Sequence, residues 1–245
     1  MDQKGFVITI TKAMILAAGR GTRMRPLTDL RPKPLVELAG RPLIDHVLER
    51  VFGAGVYQVV VNTHYLGEQL EHHLRDRAGL TLSPESELQE TGGGVRNALR
   101  HFGQDAFFVV NSDAVWLDGA EPALIRIMAQ WSDAKMDALL LLYPVKDVHA
   151  YRGAGDYDVD SDGRAQRCRP GKHTKFLFTG MQILHPRLFS RVPDHPFSLN
   201  ILYDAAEKAG RLYATVHDGK WFHVGTPGEL RYAERELHIR SGTIK

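Results

Sequence analysis

Four segments of the sequence decide most of what the chain can become. "KAMILAA" (12–18), "YQVVVNT" (57–63), "AFFVVNSD" (106–113) and "MDALLLLYPV" (136–145) carry apolar runs with almost no polar alternation. A strand with one wet face alternates, whereas a run apolar on both sides belongs to a strand covered above and below, as in a parallel sheet between helices. The stretches between these runs have the other period. "RPLIDHVLERVFGAG" sets Leu43, Ile44, Val47, Leu48 and Val51 at helical spacing, with Pro42 near its start and Gly53 and Gly55 at its end. "LGEQLEHHLRDRAG" repeats the pattern through Leu66, Leu70 and Leu74, and "LTLS" reads as a short strand. A helix is expected between the glycine cluster Gly92, Gly93, Gly94 and His101. Strands alternating with helices imply right-handed crossovers and an α/β layer fold.

The second half adds antiparallel pairs. "YDVDSDGRAQRCRP" reads as two short strands turning at Asp162-Gly163, followed by a strand in "KFLFTGMQILHP". Helices are expected over "SLNILYDAAEKAG" and "PGELRYAERELHIRSG". No repeat, low-complexity tract or Pro/Ser-rich linker interrupts the chain, so the expectation is one domain over 1–245, with its core at 12–236 and a short N-terminal extension at 1–11.

Composition excludes several classes. With 43% hydrophobic and 24% charged residues over 245 positions the chain is neither disordered nor a coiled coil. A net charge of +2 leaves anion binding to local clusters and gives no sign of a nucleic-acid partner. Cys168 stands alone, which rules out an intrachain disulfide and a multi-thiolate zinc site. Lys4, "FVITI" and "AMILAAG" imitate a secretory signal, but Lys12 interrupts the apolar core. No segment is long enough for a membrane span, so a cytoplasmic protein without a membrane partner is expected.

One segment breaks every pattern above. "LAAGRGTRMRPLTDLRPKP" (16–34) follows the first strand with two glycines, four arginines, a lysine and three prolines. A glycine loop at the carboxyl edge of a parallel strand is where α/β sheets bind ligands, and Gly19 and Gly21 permit close approach of a phosphate. Two familiar loops are excluded. A dinucleotide fingerprint needs a glycine where Met24 stands, and Pro26, Pro32 and Pro34 forbid its long helix. No Gly-Lys pair is followed by Ser or Thr, so there is no P-loop: Gly171-Lys172 precedes His173 and Gly219-Lys220 precedes Trp221.

The remaining pattern, G-x-G-T-R-x-x-P from Gly19 to Pro26 with Lys33 downstream, resembles the signature of the sugar-1-phosphate nucleotidyltransferases. The resemblance runs from Lys12 to about Glu236. It implies a three-layer α/β/α domain around a Rossmann-like, mixed but mainly parallel sheet. It also implies transfer of a nucleotidyl group from a nucleoside triphosphate to a sugar 1-phosphate, with pyrophosphate leaving. Catalysis would rest on Arg23 at the leaving pyrophosphate, Lys33 at the reacting phosphates and Asp113 as a Mg²⁺ ligand, with Mn²⁺ the alternative metal. The nucleotide would lie along Leu16, Ala17, Ala18, Gly19, Gly21 and Thr22, with its base near Gly92, Gly93 and either Glu85 or Glu87. Gly180, Asn200 and Thr226 are the sugar candidates.

"KWFHVGTPGEL" matches the family's closing motif except that His223 replaces an aspartate, which leaves its part as second metal ligand or phosphate contact open. Within the family, "ETGGG" and "NSDAVW" look most like the N-acetylmuramate 1-phosphate uridylyltransferases of bacterial cell-wall recycling, with mannose 1-phosphate guanylyltransferases second. A catalytically silent sugar-nucleotide sensor is the competing class, motivated by His223. Monomer or homodimer is expected.

Overall fold

The computed structural model describes residues 9–240. Residues 1–8, most of the expected extension, and 241–245, which include the end of the last expected helix, lie outside it. The chain builds β1 (Lys12–Leu16), α1 (Leu43–Gly53), β2 (Gln58–Thr63), α2 (Gly67–Leu74), β3 (Leu80–Pro84), α3 (Glu90–Ala98), β4 (Phe107–Asn111) and α4 (Ala123–Gln130). Then follow β5 (Ala138–Pro144), β6 (Tyr157–Val159), β7 (Ala165–Arg167), β8 (Phe176–Leu184), α5 (Asn200–Lys208), β9 (Leu212–Val216) and α6 (Pro227–Arg240).

These strands form one nine-stranded sheet in the order β7-β6-β8-β4-β1-β2-β3, with β5 beside β8 and β9 beside β5. The β3-β2-β1-β4 half is wholly parallel, with Ile15 opposite Val61 on one side and Val110 on the other. β9 is parallel to β5, whereas β8 runs antiparallel to both β4 and β5. The register of β8 shifts between Phe178 and Gln182, where Gly180 sits at φ +81.

Why the apolar runs do not alternate is visible in the core. Ile15, Val61, Val110 and Leu141 pack with Ile44 and Val47 of α1, Leu70 of α2 and Ile127 of α4. Their neighbours Met14, Val60, Val109 and Leu140 pack on the opposite face with Val95 of α3 and Leu202 of α5. Both faces are therefore buried, which gives three layers. A smaller cluster lies apart from these two. Met24 and Val36 of the cationic loop meet Val115, Phe222, Val224 and Leu230, so the loop is packed against the closing motif and α6.

Two boundaries beside the cavity differ from expectation. β1 stops at Leu16 instead of Ala18, because the Ala17 N–H leaves the ladder and donates to Asn62 Oδ1 at 2.7 Å. The glycines Gly92, Gly93 and Gly94 lie inside α3, not before it, and all three are buried. Helical glycine costs about 1 kcal/mol relative to alanine, so close packing has to account for it. A Cβ on Gly92 would clash with the edge of the Phe197 ring at Cε2, and one on Gly94 would lie 2.8 Å from both Asn62 Nδ2 and Glu85 Oε1.

Candidate active site

Since β1, β2 and β4 are parallel, their carboxyl ends share one edge of the sheet, and a cavity of about 250 Å³ opens there. Leu16, Ala17, Ala18, Gly19, Gly21, Lys33 and Asp113, all candidates from the sequence, line it. Lys33 Nζ and Asp113 Oδ2 meet as an ion pair across 80 residues of sequence. Asp113 Oδ1 takes no hydrogen bond among the described residues.

The loop that carries these groups is irregular but held. Gly21 adopts φ +60, and a Cβ there would lie 2.9 Å from Lys33 Cβ. The buried Thr28 hydroxyl donates to Gly21 O at 2.9 Å, and Tyr65 Oη donates to Thr28 O at 2.9 Å. Fully buried Met24 anchors the loop from below, worth about 1.5–3 kcal/mol by transfer. Gly19 is different. A Cβ there would meet nothing within 4 Å among the described residues, so no contact with them explains its lack of a side chain.

The loop's charges are only partly neutralised. Arg25 pairs with Asp29 at 3.1 Å and Arg31 with Glu37 at 3.4 Å, while the guanidiniums of Arg20 and Arg23 have no partner among the described residues. Arg23 lies outside the cavity lining and beside the closing motif, where a Cβ on Gly225 would stand 3.3 Å from Arg23 Nη1 and 3.0 Å from His223 Nε2. His223 is 3.9 Å from Glu229 Oε1 and is not among the groups that line the Asp113 cavity. Thr22, exposed at the start of the same turn, is also outside the lining.

Several expected contacts have other work. Gly92 and Gly93 both donate their N–H groups to Phe197 O, at 2.8 and 3.2 Å, and neither lines the cavity. That removes the donors expected to read a base. Glu85 is buried with Oε1 on Asn62 Nδ2 at 2.7 Å and Oε2 on Gln89 N at 3.1 Å, so it braces the cavity floor through Asn62 and Ala17. Glu87 is exposed and also lies outside the lining. Gly180 stands behind Asn111, since a Cβ there would lie 2.6 Å from Asn111 Nδ2. Thr226 accepts from Glu229 N at 3.3 Å and donates to Glu229 Oε2 at 3.0 Å, a capping arrangement at the start of α6.

The lining that sequence reasoning missed is Pro34, Asn62, Leu88, Glu90, Thr91, Asn111 and Ser112. A signal existed for some of them, because Asn62 and Asn111 are amides ending otherwise apolar strands. Leu88, Glu90 and Thr91 were hidden by placing the helix start after the glycines.

A second cavity has a volume of about 540 Å³. Thr91 of the first accepts a hydrogen bond from Leu199 N at 2.9 Å, and the next residue, Asn200, lines the second. Asp156 lies in its wall, where burial holds the carboxyl above the usual carboxylate range while Phe178 N, donating at 2.9 Å, and His223 oppose the shift.

The sheet edge thus carries a glycine turn and an ion-paired lysine, with two unneutralised arginines on the same loop, and the sequence identifies the class of the chain. Residues 12–239 match the family described as Nucleotidyl transferase, and the chain belongs to that family. More particularly, it is a sugar-1-phosphate nucleotidyltransferase. It is 38% identical over 232 residues to the N-acetylmuramate alpha-1-phosphate uridylyltransferase of Caulobacter vibrioides, covering 92% of this chain and 96% of that one. It is 33% identical to the mannose-1-phosphate guanylyltransferase catalytic subunit beta of Danio rerio, covering 89% of this chain and 62% of the relative. The fold is shared with UDP-glucose pyrophosphorylase of Acinetobacter baumannii at TM-score 0.78 and 20% identity, over 94% of each chain. No helix among the described residues is long and apolar enough to cross a membrane.

Proposed function

We propose that the chain transfers a uridylyl group from UTP to N-acetylmuramate 1-phosphate, giving the UDP-sugar and pyrophosphate. One observation carries the choice of base and sugar: the match to the Caulobacter enzyme extends over nearly the whole of both chains. Guanylyl transfer to mannose 1-phosphate is the second reading, supported by the lower identity to the Danio relative. A cytoplasmic role in reusing cell-wall sugar follows from the first substrate, performed by a single domain acting as monomer or homodimer.

The chemistry assigns each group a task. The sugar's phosphate oxygen attacks the α-phosphorus and pyrophosphate departs, so charge must be stabilised along the line of displacement. The nucleophile is already ionised and needs no general base. Lys33, fixed by Asp113, sits beside the reacting phosphates. Arg23 takes the leaving pyrophosphate, and the open space above Gly19 admits phosphate oxygens against the backbone. Glu90, Thr91 and Leu88 face the base.

The donor set fits Mg²⁺ held chiefly by substrate and water, because Asp113 offers one uncommitted carboxylate oxygen in the cavity. No group of three or more potential metal-binding side chains occurs among the described residues. When bound to the phosphates, Mg²⁺ would supply charge neutralisation there. His223 serves as a phosphate contact beside Arg23, since an imidazole suits a hard cation poorly.

The test is pyrophosphate release from UTP, GTP, CTP and dTTP, each against several sugar 1-phosphates with Mg²⁺ or Mn²⁺. UTP with N-acetylmuramate 1-phosphate should give the highest kcat/KM. A preference for GTP with mannose 1-phosphate would replace this reading by the second.

A further inference from the structure

The second cavity has a charge pattern that nucleotidyl transfer itself does not require. Its wall carries Arg167, Arg169 and Lys172 against one carboxylate, Asp156, whose pKa burial raises. Arg167 Nη1 is tied to Asp204 Oδ2 at 3.0 Å and Arg169 Nη2 to Glu207 Oε1 at 2.7 Å, so α5 holds both guanidiniums in place. The ammonium of Lys172 is different. It is exposed and has no partner among the described residues, on a turn closed by Lys172 N donating to Arg169 O at 3.0 Å. In the same lining, the side-chain amide of Asn200 is also without a hydrogen bond among the described residues. A neutral hexose would satisfy the amide and leave the ammonium unanswered.

We propose that this cavity selects a sugar 1-phosphate bearing a second anionic group, a carboxylate, and that Lys172 receives it. The proposal deepens the reading of the substrate as a muramic sugar and rests on it. With the anomeric phosphate in the first cavity, beside Lys33, the ring and its substituents extend past Thr91 and Leu199 into the second. The lactyl ether of N-acetylmuramate 1-phosphate ends in a carboxylate, and N-acetylglucosamine 1-phosphate lacks only that ether. The pair therefore isolates the group in question.

The experiment measures kcat and KM for both sugars with each of the four nucleotides, using wild-type enzyme, Lys172→Ala and Lys172→Arg. Wild type should prefer the acidic sugar. Lys172→Ala should raise KM for that sugar about tenfold, the worth of one hydrogen bond to a charged group, with kcat nearly unchanged. Its KM for the neutral sugar should not move, and Lys172→Arg should recover most of the preference. Equal losses on both sugars would overturn the proposal, since they would make Lys172 a phosphate or structural contact. Wild-type preference for the neutral sugar with every nucleotide would also overturn it. Preference for the acidic sugar with GTP in place of UTP would sink the uridylyl assignment and support the cavity's role. Melting curves of both variants should match wild type, because the ammonium has no hydrogen-bond or ion-pair partner among the described residues.

Discussion

Replacing Gly19 by alanine separates what the fold needs from what the ligand needs. A Cβ at this position meets no heavy atom within 4 Å, and the backbone is not in the left-handed region. The free protein should therefore accept the methyl, with stability unchanged or raised by about 0.4–1 kcal/mol through a less flexible unfolded chain. The bound state is another matter. Gly19 lines the cavity beside Lys33 and Asp113, so the methyl would occupy space proposed for phosphate oxygens. Overfilling a packed contact costs about 1–3 kcal/mol, which corresponds to roughly a five- to 150-fold rise in KM for the triphosphate. Gly21→Ala supplies the contrast. There φ is +60 and the new Cβ would lie 2.9 Å from Lys33 Cβ and 3.2 Å from Thr28 Cγ2. Left-handed strain alone costs about 1–2 kcal/mol, so this variant should lose stability as well as activity. Urea titration and pyrophosphate-release kinetics on the two variants check both halves. Wild-type KM and kcat in Gly19→Ala, or equal destabilisation of the two variants, would refute the argument that open space above Gly19 is ligand space.

Arg23→Ala should lower kcat by two to three orders of magnitude, since one positioned donor to developing charge is worth about 2.7–4 kcal/mol; its melting temperature should hold, because Arg23 has no partner among the described residues. Glu85→Ala should lose about 1–3 kcal/mol in a urea titration by stranding Asn62 Nδ2 and Gln89 N, with the choice among nucleotides retained; altered base preference would return Glu85 to the base site. His217 is buried, its Nε2 facing Leu117 O at 3.0 Å, and burial pushes its pKa below the ordinary 6.5. A base with a lowered folded pKa contributes stability above its unfolded value and loses it as pH falls through the folded one. The urea midpoint should therefore drop on acidification from pH 6.5 downward, and His217→Leu should flatten that slope.

The strands were legible because burial on both faces leaves no polar alternation, and Met14 and Ile15 do go to opposite faces of the sheet. The glycine turn was legible because few residues other than glycine adopt φ +60, as Gly21 does. What stayed hidden depends on partners distant in sequence. Gly92 resembles a ligand-facing glycine in one dimension, but its reason is the ring of Phe197, which lies 105 residues further along the chain. Glu85 carries the charge a base reader would need, and only the positions of Asn62 and Gln89 show both oxygens occupied. Thr226 sits in a matching motif, yet its hydroxyl is committed to Glu229.

The same dependence on distant partners explains how irregular backbone can carry so much charge. Arg20 and Arg23 repel each other and receive no compensating carboxylate among the described residues, so these two charges do nothing to hold their loop, unlike the paired Arg25, Arg31 and Lys33. Apolar contact joins those pairs in ordering it: Met24 and Val36 are buried with Phe222, Val224 and Leu230, which arrive from the far end of the sequence. Burial of Met24 alone, at about 1.5–3 kcal/mol, exceeds the repulsion of two solvent-screened charges. The uncompensated charge is thus held in place before any ligand arrives. In the proposed reaction, neutralisation is left to the incoming phosphates, which places the electrostatic gain in binding and in the transition state and not in folding.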